Sequence, residues 1–567
     1  TGTVIGSLER NNVHCWRGIP YAKPPIGKLR WRAPQPLPTW GGVFQALSHG
    51  SFAPQYAGLL TPTHKRNFGK IVGSEDCLHL SVYAPASSPK KVPKKRDLRP
   101  VMVWIHGGGH SVGSCASYDV MKNYAHDGVI TVGINYRLGI LGWFRHPSLE
   151  IDEGITAEER SGNFAILDLI AALEWVQNNI SAFGGDPENV TIFGQSAGGQ
   201  MVLSLLASPL AHGLFHKAIS QSPVARTYST KQAVEPNESA IQAENATSIS
   251  LSEKLKKKFG KSITSERKWT PHETSTFLRS LPASDLLSVF TPGTVGIYLA
   301  PRPIRDGVVL PKEPFVEVFK GNDWNKVPII IGSNRDEHRT FMADKSEHTT
   351  LYFGSIPVVK NRKKYRFESD FFSRAWRATN VDSIVEAMFA SGHKEIWTYR
   401  FDWSDAPKIP LIRPDLLLGA AHGMEIPFIF RDINGEFDIF KVNTPFNRSG
   451  RTHLANCMTD LWISFSYGGR PVSETIEWPM HRELNNEPLS LIFNKTKSKN
   501  LEIRNAQESI KSIEEELIFL SQNGTDEALS LFYKIFYWSP LYSNIDSQNP
   551  KFLSTEQAKK FQPSSEI

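Results

Sequence analysis

The sequence predicts an α/β fold in which helices cover both faces of a central, mostly parallel sheet. Runs of consecutive apolar residues, such as Val101–Ile105, are typical of strands that are buried on both faces of a parallel sheet. Between residues 101 and 222, such runs alternate with helical periodicity in the order strand, loop, strand, helix, strand, helix, strand. Strands that alternate with helices in this way form parallel sheets with helices packed on both sides.

The segments on either side of this alternating region predict the remaining elements. Residues 3–22 are expected to form two antiparallel strands with a turn at Asn11-Asn12. Residues 34–70 are rich in proline, glycine and aromatic residues, which predicts an irregular surface loop. Further strands are predicted at 79–84, 128–136, 216–220, 327–331 and 397–403, and further helices at 162–183, 452–467 and 510–520.

The whole chain, residues 1–567, is predicted to form one domain, because an α/β fold can absorb long insertions. Two polar segments with helical stretches, near residues 225–300 and 345–395, are interpreted as these insertions. The polar residues from about 547 onwards predict a loose C-terminal tail.

Composition excludes several classes of protein. The chain is 40% hydrophobic and 21% charged, as is typical of a globular protein with a large core. A formal net charge of +7 is small for 567 residues, and no nucleic-acid-binding motif is present, which argues against a nucleic-acid partner. No apolar run approaches the ~18 residues of a membrane span, so no transmembrane segment is predicted. The four cysteines lack metal-binding spacing and favour a reducing compartment, hence the cytoplasm over secretion or the periplasm. Oligomeric state is not predicted.

A candidate nucleophile lies within Gly194–Gly198 (GQSAG), which matches the pattern G-x-S-x-G. An apolar strand precedes this segment and a helix follows it. A serine on such a turn is held in strained geometry with its hydroxyl exposed, and the glycines avoid clashes in the bend. The pattern alone is equally consistent with a plain turn, but the strand-turn-helix context favours Ser196 as a nucleophile.

A glycine-rich loop, His106–Gly109 (HGGG), follows the buried strand Val101–Ile105. Its three glycines leave backbone N–H groups able to approach a ligand closely. A flexible turn is the alternative interpretation. It is less consistent with the sequence, because the strand before the loop and the serine turn after it fit the same site.

Motifs along nearly the whole chain resemble the carboxylesterase/cholinesterase family, the type-B carboxylesterases of the α/β-hydrolase superfamily. They are RGIPYA (17–22), SEDCL (74–78), HGGG (106–109), NYRLG (135–139), GN (162–163), FGGDP (183–187), GQSAG (194–198), DE (336–337) and AHGME (421–425). The last third of the chain is more similar to the bacterial branch than to the animal one. The resemblance implies an α/β-hydrolase fold and hydrolysis of carboxylic esters through an acyl-enzyme intermediate, with no cofactor and no metal.

The resemblance also implies a catalytic triad in the chain order serine, acid, histidine. A serine hydroxyl needs a base within hydrogen-bond reach, and the base needs a group that orients it. The family pattern assigns these roles to Ser196 as nucleophile, Glu337 as acid and His422 as base. Asp336 is the local competitor for the role of the acid.

Supporting roles follow from the same resemblance. The backbone N–H groups of Gly108, Gly109 and Ala197 correspond to the oxyanion hole, which stabilises the tetrahedral intermediate. Ser222 matches a position at which the family supports the histidine. Arg17 and Glu75 match a structural ion pair.

The sequence departs from the family pattern near this site. His110 replaces the usual aromatic residue after the glycines, and His338 replaces the usual glycine after the acid, so both are expected to alter the pocket or nearby pKa values. His338 next to Asp336 and Glu337 does not predict a metal site, because adjacent positions converge poorly on one ion. Residues 53–56 lack the cysteine that usually pairs with Cys77, so that disulfide is not predicted, and they lack a tryptophan, which disfavours choline esters.

The leading hypothesis is a serine hydrolase that cleaves small, uncharged esters with apolar acyl or alcohol parts. One alternative is a catalytically silent binding or adhesion protein. Another is a hydrolase of amides, carbamates or lactones that uses the same triad. The sequence leaves open the natural substrate and the preferred acyl length.

Overall fold

The chain forms two compact units. The first comprises Thr1–Ser220, Thr227–Pro328 and Ile463–Arg470, and the second Gln221–Arg226, Ile329–Trp462 and Pro471–Ile567. The assignment of residues 1–567 to one domain stays a prediction, and the tail from about 547 lies outside the described residues. The computed structural model describes residues 2–9, 11–236, 247–260, 268–293, 295–352, 356–409, 413–432, 435, 442–474, 476–494 and 501–538.

The first unit contains a sheet whose strands lie side by side in the order Lys217–Gln221 (β11), Gly185–Gln195 (β10), Arg99–Ile105 (β8), Ile130–Ile134 (β9), His79–Pro85 (β7), Val13–Pro20 (β3) and Ser7–Glu9 (β2). Strand β8 pairs in parallel with both β9 and β10, as the apolar runs predict. Strands β7, β3 and β2 continue the sheet in antiparallel pairs. The strands are β1 (Thr3–Ile5), β2 (Ser7–Glu9), β3 (Val13–Pro20), β4 (Val43–Gln45), β5 (Gln55–Tyr56), β6 (Ile71–Val72), β7 (His79–Pro85), β8 (Arg99–Ile105), β9 (Ile130–Ile134), β10 (Gly185–Gln195), β11 (Lys217–Gln221), β12 (Tyr228–Ser229) and β13 (Ile304–Arg305).

Helices follow the sheet strands of the first unit at the predicted places. Phe164–Asn179 is buried along most of its length and leads into β10, and Ala197–Ala207 is buried throughout. Trp104 of β8 is fully buried, and its ring lies 4.9 Å from that of Phe193 on β10. The α-helices of this unit are Lys122–His126, Gly139–Gly142, Ala157–Arg160, Phe164–Asn179, Ala197–Ala207, Thr230–Val234, Ser248–Phe259, Pro271–Ser280, Ala283–Leu287 and Phe315–Lys320.

The second unit has its own set of strands, in the order Ile329–Asn334 (β14), Ile396–Phe401 (β17), Ser490–Phe493 (β18) and Glu502–Arg504 (β19). The pairs β14–β17 and β17–β18 are parallel, and β19 closes the edge in an antiparallel pair. The strands are β14 (Ile329–Asn334), β15 (Thr349–Tyr352), β16 (Ile356–Val359), β17 (Ile396–Phe401), β18 (Ser490–Phe493) and β19 (Glu502–Arg504). The α-helices are Arg339–Met342, Arg362–Arg377, Ser383–Ala390, Pro414–Leu417, Ile426–Ile429, Arg448–Gly468, Ile510–Gln522 and Asp526–Tyr533, and of Arg448–Gly468 the residues from Ile463 onwards are counted with the first unit.

Helix Arg362–Arg377 packs against the C-terminal helices of the second unit. Its Phe371 and Trp376 lie in one apolar cluster with Ile513, Leu517 and Leu531, all of them buried. This packing explains why the periodic apolar residues near 510–520, recognised in the sequence, form a helix in a chain segment that is otherwise polar.

Two secondary-structure predictions are wrong in part. Residues 3–5 pair in parallel with 43–45, so the antiparallel pair is confined to β2 and β3, and residues 34–70 are not wholly irregular. The segment 345–395 begins with an antiparallel hairpin, β15 and β16, rather than a helix. Both hairpin strands are rich in β-branched residues, which favour a pleated strand over a helix.

The predicted ion pair between Arg17 and Glu75 is also wrong. The Arg17 guanidinium pairs with Asp119 at 2.9 Å and with Glu9 at 3.0 Å. Glu75 instead pairs with Arg30, at 2.5 Å. Arg30 also donates hydrogen bonds to three backbone carbonyls of residues 278–281, which fixes its guanidinium beside Glu75.

Candidate active site

Ser196 lies at a sharp turn between strand β10 and the helix Ala197–Ala207. Its backbone has φ 61° and ψ −123°, a strained conformation for a residue with a side chain, and it is only half-buried. A Cβ atom at Gly198 would lie 2.0 Å from the carbonyl oxygen of Ile105, and one at Gly194 would lie 2.6 Å from the backbone of Gly198. The two glycines are therefore required for the turn, as the pattern predicts.

The glycine-rich loop lies beside this turn because β8 and β10 are neighbours. Ile105, the last residue of β8, is in register with Gly194, so His106–Gly109 begins next to the turn that holds Ser196. A Cβ atom at Gly107 would lie 3.1 Å from that of Ser196. Among the described residues, the backbone N–H groups of Gly108, Gly109 and Ala197 have no hydrogen-bond acceptor. The first unit thus brings together the predicted nucleophile and the three predicted oxyanion donors.

His106 stabilises the start of this loop and does not carry charge. Its Nδ1–H donates to the carbonyl of Gly107 at 2.9 Å, and its ring stacks on Tyr136 with centroids 4.5 Å apart. The Tyr136 hydroxyl in turn donates to the carbonyl of His106 at 2.6 Å. Burial lowers the pKa of His106 to about 4, so the imidazole is neutral at neutral pH.

The predicted acid and base lie together in the second unit. Glu337 is fully buried, and its Oε2 lies 2.5 Å from Nδ1 of His422. Its other carboxylate oxygen accepts a hydrogen bond from the backbone N–H of Asn334 at 2.6 Å. A carboxylate at Nδ1 directs Nε2 of the imidazole away from it, which is the orientation a general base requires.

Asp336, the alternative acid, contacts different groups. Its carboxylate pairs with Arg335 at 2.7 Å and Arg339 at 3.0 Å, and it accepts the N–H of Ala420 at 2.9 Å. Burial would raise the pKa of Asp336, but the charges of Arg339 and Arg335 outweigh burial and lower it. Asp336 therefore anchors the segment before His422, and Glu337 is the carboxylate that contacts this predicted base.

A second buried carboxylate, Glu425, lies close to this pair and was given no role from the sequence. The side-chain amide of Asn334 donates to Glu425 at 2.6 Å, and the backbone N–H of the same residue donates to Glu337. Burial, together with the charge of Glu337, raises the pKa of Glu425 from 4.5 to about 7. The position of Glu425 three residues after His422, in the AHGME motif, was the available signal.

The raised pKa of Glu425 predicts a pH-dependent loss of stability. Because the folded state holds the proton more tightly than the unfolded chain, the free energy of unfolding falls as the pH rises from about 4.5 to about 7. We expect Glu425→Gln to remove this loss, which is on the order of 3 kcal/mol. Urea unfolding of both proteins from pH 4 to 8 measures it. A difference between the two proteins that does not change with pH would contradict the prediction.

Of the three remaining residues of interest, Ser222 and His110 are buried and His338 is half-buried. Ser222 has φ 43°, and its hydroxyl has no hydrogen-bond partner among the described residues. His338 stacks on Phe372 with centroids 4.2 Å apart, and desolvation lowers its pKa to about 3, so its imidazole is neutral at neutral pH. His110 donates to Gln200 and likewise has its pKa lowered to about 3 by burial.

Aromatic rings flank the base. The Trp376 and Phe341 rings lie 5.0 and 5.3 Å from the His422 ring, centroid to centroid. Thr340 donates from its hydroxyl to the carbonyl of His422 at 3.0 Å, which fixes the backbone there. Two aromatic rings therefore lie against the His422 imidazole.

The described residues contain one group with the composition of a cation site, Glu347, His348 and Glu368. The Lys534 ammonium already lies 2.6 Å from Glu347 and 3.4 Å from Glu368. Neither Asp336, Glu337 nor His338 belongs to this group. The expectation of a metal-free enzyme stays a prediction.

A sequence model described as the Carboxylesterase family matches residues 1–368. The chain is 33% identical to the para-nitrobenzyl esterase of Bacillus subtilis (strain 168) over 507 residues, 86% of this chain and 93% of that protein. It is also 33% identical to carboxylesterase 1E of Rattus norvegicus over 536 residues, 84% and 87% of the two chains. The structure of the Geobacillus stearothermophilus carboxylesterase EST55 superposes with a TM-score of 0.65 at 28% identity, covering 89% of this chain and 96% of that one.

This chain therefore belongs to the carboxylesterase family and has the α/β-hydrolase fold that the sequence predicted. It is a carboxylic-ester hydrolase of the serine type, and the binding-protein alternative is not favoured. The two relatives are bacterial and mammalian at equal identity, so the assignment to the bacterial branch stays a prediction. None of the helices in the described part of the chain is long and apolar enough to cross a membrane.

Proposed function

We propose that this enzyme hydrolyses uncharged carboxylic esters with Ser196 as nucleophile, His422 as general base and Glu337 as the acid that orients the base. The observation that carries the proposal is the strained turn at Ser196, with the N–H groups of Gly108, Gly109 and Ala197 beside it and without acceptors. The contact of Glu337 with His422 supports the roles of the other two residues.

The reaction follows from these groups. Ser196 Oγ attacks the ester carbonyl carbon while its proton passes to His422, and the Glu337 carboxylate stabilises the imidazolium that forms. The three N–H groups donate to the oxyanion of the tetrahedral intermediate. When the intermediate collapses, His422 gives the proton to the leaving alcohol, and water then attacks the acyl-enzyme in the same way. We assign to Ser222 a supporting contact with the histidine, since its buried hydroxyl has no other partner among the described residues.

The substrate class follows from the surroundings of the base. The apolar rings of Phe341 and Trp376 suit an apolar acyl or alcohol group better than a charged one. One relative is named a para-nitrobenzyl esterase, and such an alcohol part has this character. We further propose a reducing, cytoplasmic location, which the four free, buried cysteines support.

A pair of isosteric substrates tests the proposed class. Butyrylcholine and 3,3-dimethylbutyl butyrate have nearly the same shape, but only the first carries a positive charge. We expect the neutral ester to have the higher kcat/KM, and para-nitrophenyl butyrate to be cleaved while the matching para-nitroanilide is not. A preference for the choline ester would contradict the substrate class, and faster cleavage of the anilide would indicate an amidase.

A further inference from the structure

His110 occupies a strained position directly after the oxyanion loop. It is the third residue in a row with positive φ, at 62°, after Gly108 at 109° and Gly109 at 61°. A residue with a Cβ atom rarely adopts this conformation, and only 2% of His110 is exposed. Since glycine would adopt it without strain, the side chain of His110 must contribute something that offsets the strain.

The side chain makes one buried hydrogen bond, which joins two parts of the site. His110 Nε2 lies 2.8 Å from Oε1 of Gln200, a fully buried residue in the first turn of the helix that begins at Ala197. Because burial keeps the imidazole neutral, Nε2 carries the proton that it donates. The backbone N–H of Gln200 donates to the carbonyl of Ser196 at 3.0 Å.

Other contacts fix the histidine so that this bond has a definite direction. The rings of Trp143 and His110 pack edge to face, with centroids 4.5 Å apart and an interplanar angle of 68°. The carbonyl of His110 accepts the N–H of Gly139 at 2.7 Å. Backbone and ring are therefore both held, and the hydrogen bond to Gln200 connects a rigid loop to a rigid helix.

We propose that His110 is a positioning residue whose hydrogen bond to Gln200 holds the N–H groups of Gly108 and Gly109 in register with that of Ala197, so that all three donate to one oxyanion. The loop supplies two of these donors and the helix supplies the third, so a shift of the loop along the helix would separate them. The inference rests on the proposed ester hydrolysis at Ser196. It assigns His110 no proton transfer and no contact with substrate.

Two substitutions remove the bond from either side while keeping size and packing. His110→Phe removes the donor, and Gln200→Met removes the acceptor. The assays are turnover of para-nitrophenyl butyrate and inhibition by an alkyl trifluoromethyl ketone, which adds to the serine and forms a tetrahedral oxyanion. Displaced donors stabilise the oxyanion of the transition state less well, but they hardly affect binding of the planar ester in the ground state. We therefore expect each variant to lower kcat about 10- to 100-fold, with KM changed by less than about threefold.

The ketone distinguishes positioning from general damage, since its affinity should fall by about the same factor as kcat. The double variant should be no worse than the worse single variant, because both remove one interaction. His146→Phe, at a buried histidine that accepts from the N–H of Ser148, is the matched control and should leave kcat and ketone affinity unchanged.

The proposal is overturned if folded variants keep both kcat and ketone affinity within about twofold of the parent, or if kcat falls without a matching loss of ketone affinity. Thermal unfolding establishes folding, and if one variant does not fold, the other decides. If the parent protein turns over the ester and Ser196→Ala retains this activity, the proposed nucleophile is wrong. That result is distinct from unaltered His110 and Gln200 variants, which refute only the positioning role.

Discussion

Ser196→Ala should lower kcat for para-nitrophenyl butyrate by about a millionfold, to a rate close to the background. The substitution removes the Oγ atom, which is the atom that would carry the acyl group in the acyl-enzyme. The backbone at residue 196, with φ 61°, can keep its conformation or relax when the hydroxyl is absent, so the fold should survive. A steady-state assay with the purified variant, together with its thermal unfolding midpoint, measures both effects.

Ser117→Ala is the matched control for this substitution. Ser117 is also half-buried, and its hydroxyl donates to the carbonyl of Leu60 rather than lying at a strained turn. We expect full activity from the control. Comparable activity in the Ser196 and Ser117 variants would mean that a different nucleophile cleaves the ester.

Glu337→Gln should lower kcat by about 10⁴-fold while preserving the fold, because the amide cannot stabilise the imidazolium and allows the wrong tautomer of His422. The carboxylate is fully buried and 2.5 Å from Nδ1, so no solvent group can replace it. Measuring kcat with the same ester tests this. The backbone N–H of Asn334 can still donate to the side-chain oxygen of glutamine, which limits the structural effect.

Asp336→Asn, one residue away, distinguishes the two candidate acids. Its carboxylate pairs with Arg335 and Arg339 and accepts the N–H of Ala420. The main effect of the substitution should therefore be a lower unfolding midpoint, with a smaller effect on kcat. If Asp336→Asn were the inactive variant and Glu337→Gln the active one, the assignment of the acid would have to be reversed.

The parts of the fold that were predicted have local causes. Residues 101–105 in β8 and 329–331 in β14 are apolar without interruption, and the glycines at 194 and 198 are required by close backbone contacts. The residues alone do not separate Asp336 from Glu337, because adjacent residues of one loop differ in the direction of their side chains, and in the structure Glu337 is the one that contacts His422. The sequence left that choice to the family resemblance.

The errors concern pairings between residues distant in the chain. The partner of Glu75 is Arg30 rather than Arg17, which depends on carbonyls of residues 278–281 that no local pattern connects to Arg30. Strand β1 pairs with β4, and Thr3 lies opposite Val43, which is forty positions later in the sequence. Glu425 was missed because its raised pKa arises from burial and from Glu337, neither of which a motif displays.

The most direct test of the account is to trap the acyl-enzyme. Acid quenching of the parent enzyme during turnover of para-nitrophenyl butyrate, followed by proteolysis and mass spectrometry, locates the butyryl group. We expect a butyryl ester on Ser196 that accumulates with the initial burst of para-nitrophenol and is absent from Ser196→Ala. A butyryl group on another residue, with Ser196 unmodified during turnover, would contradict it.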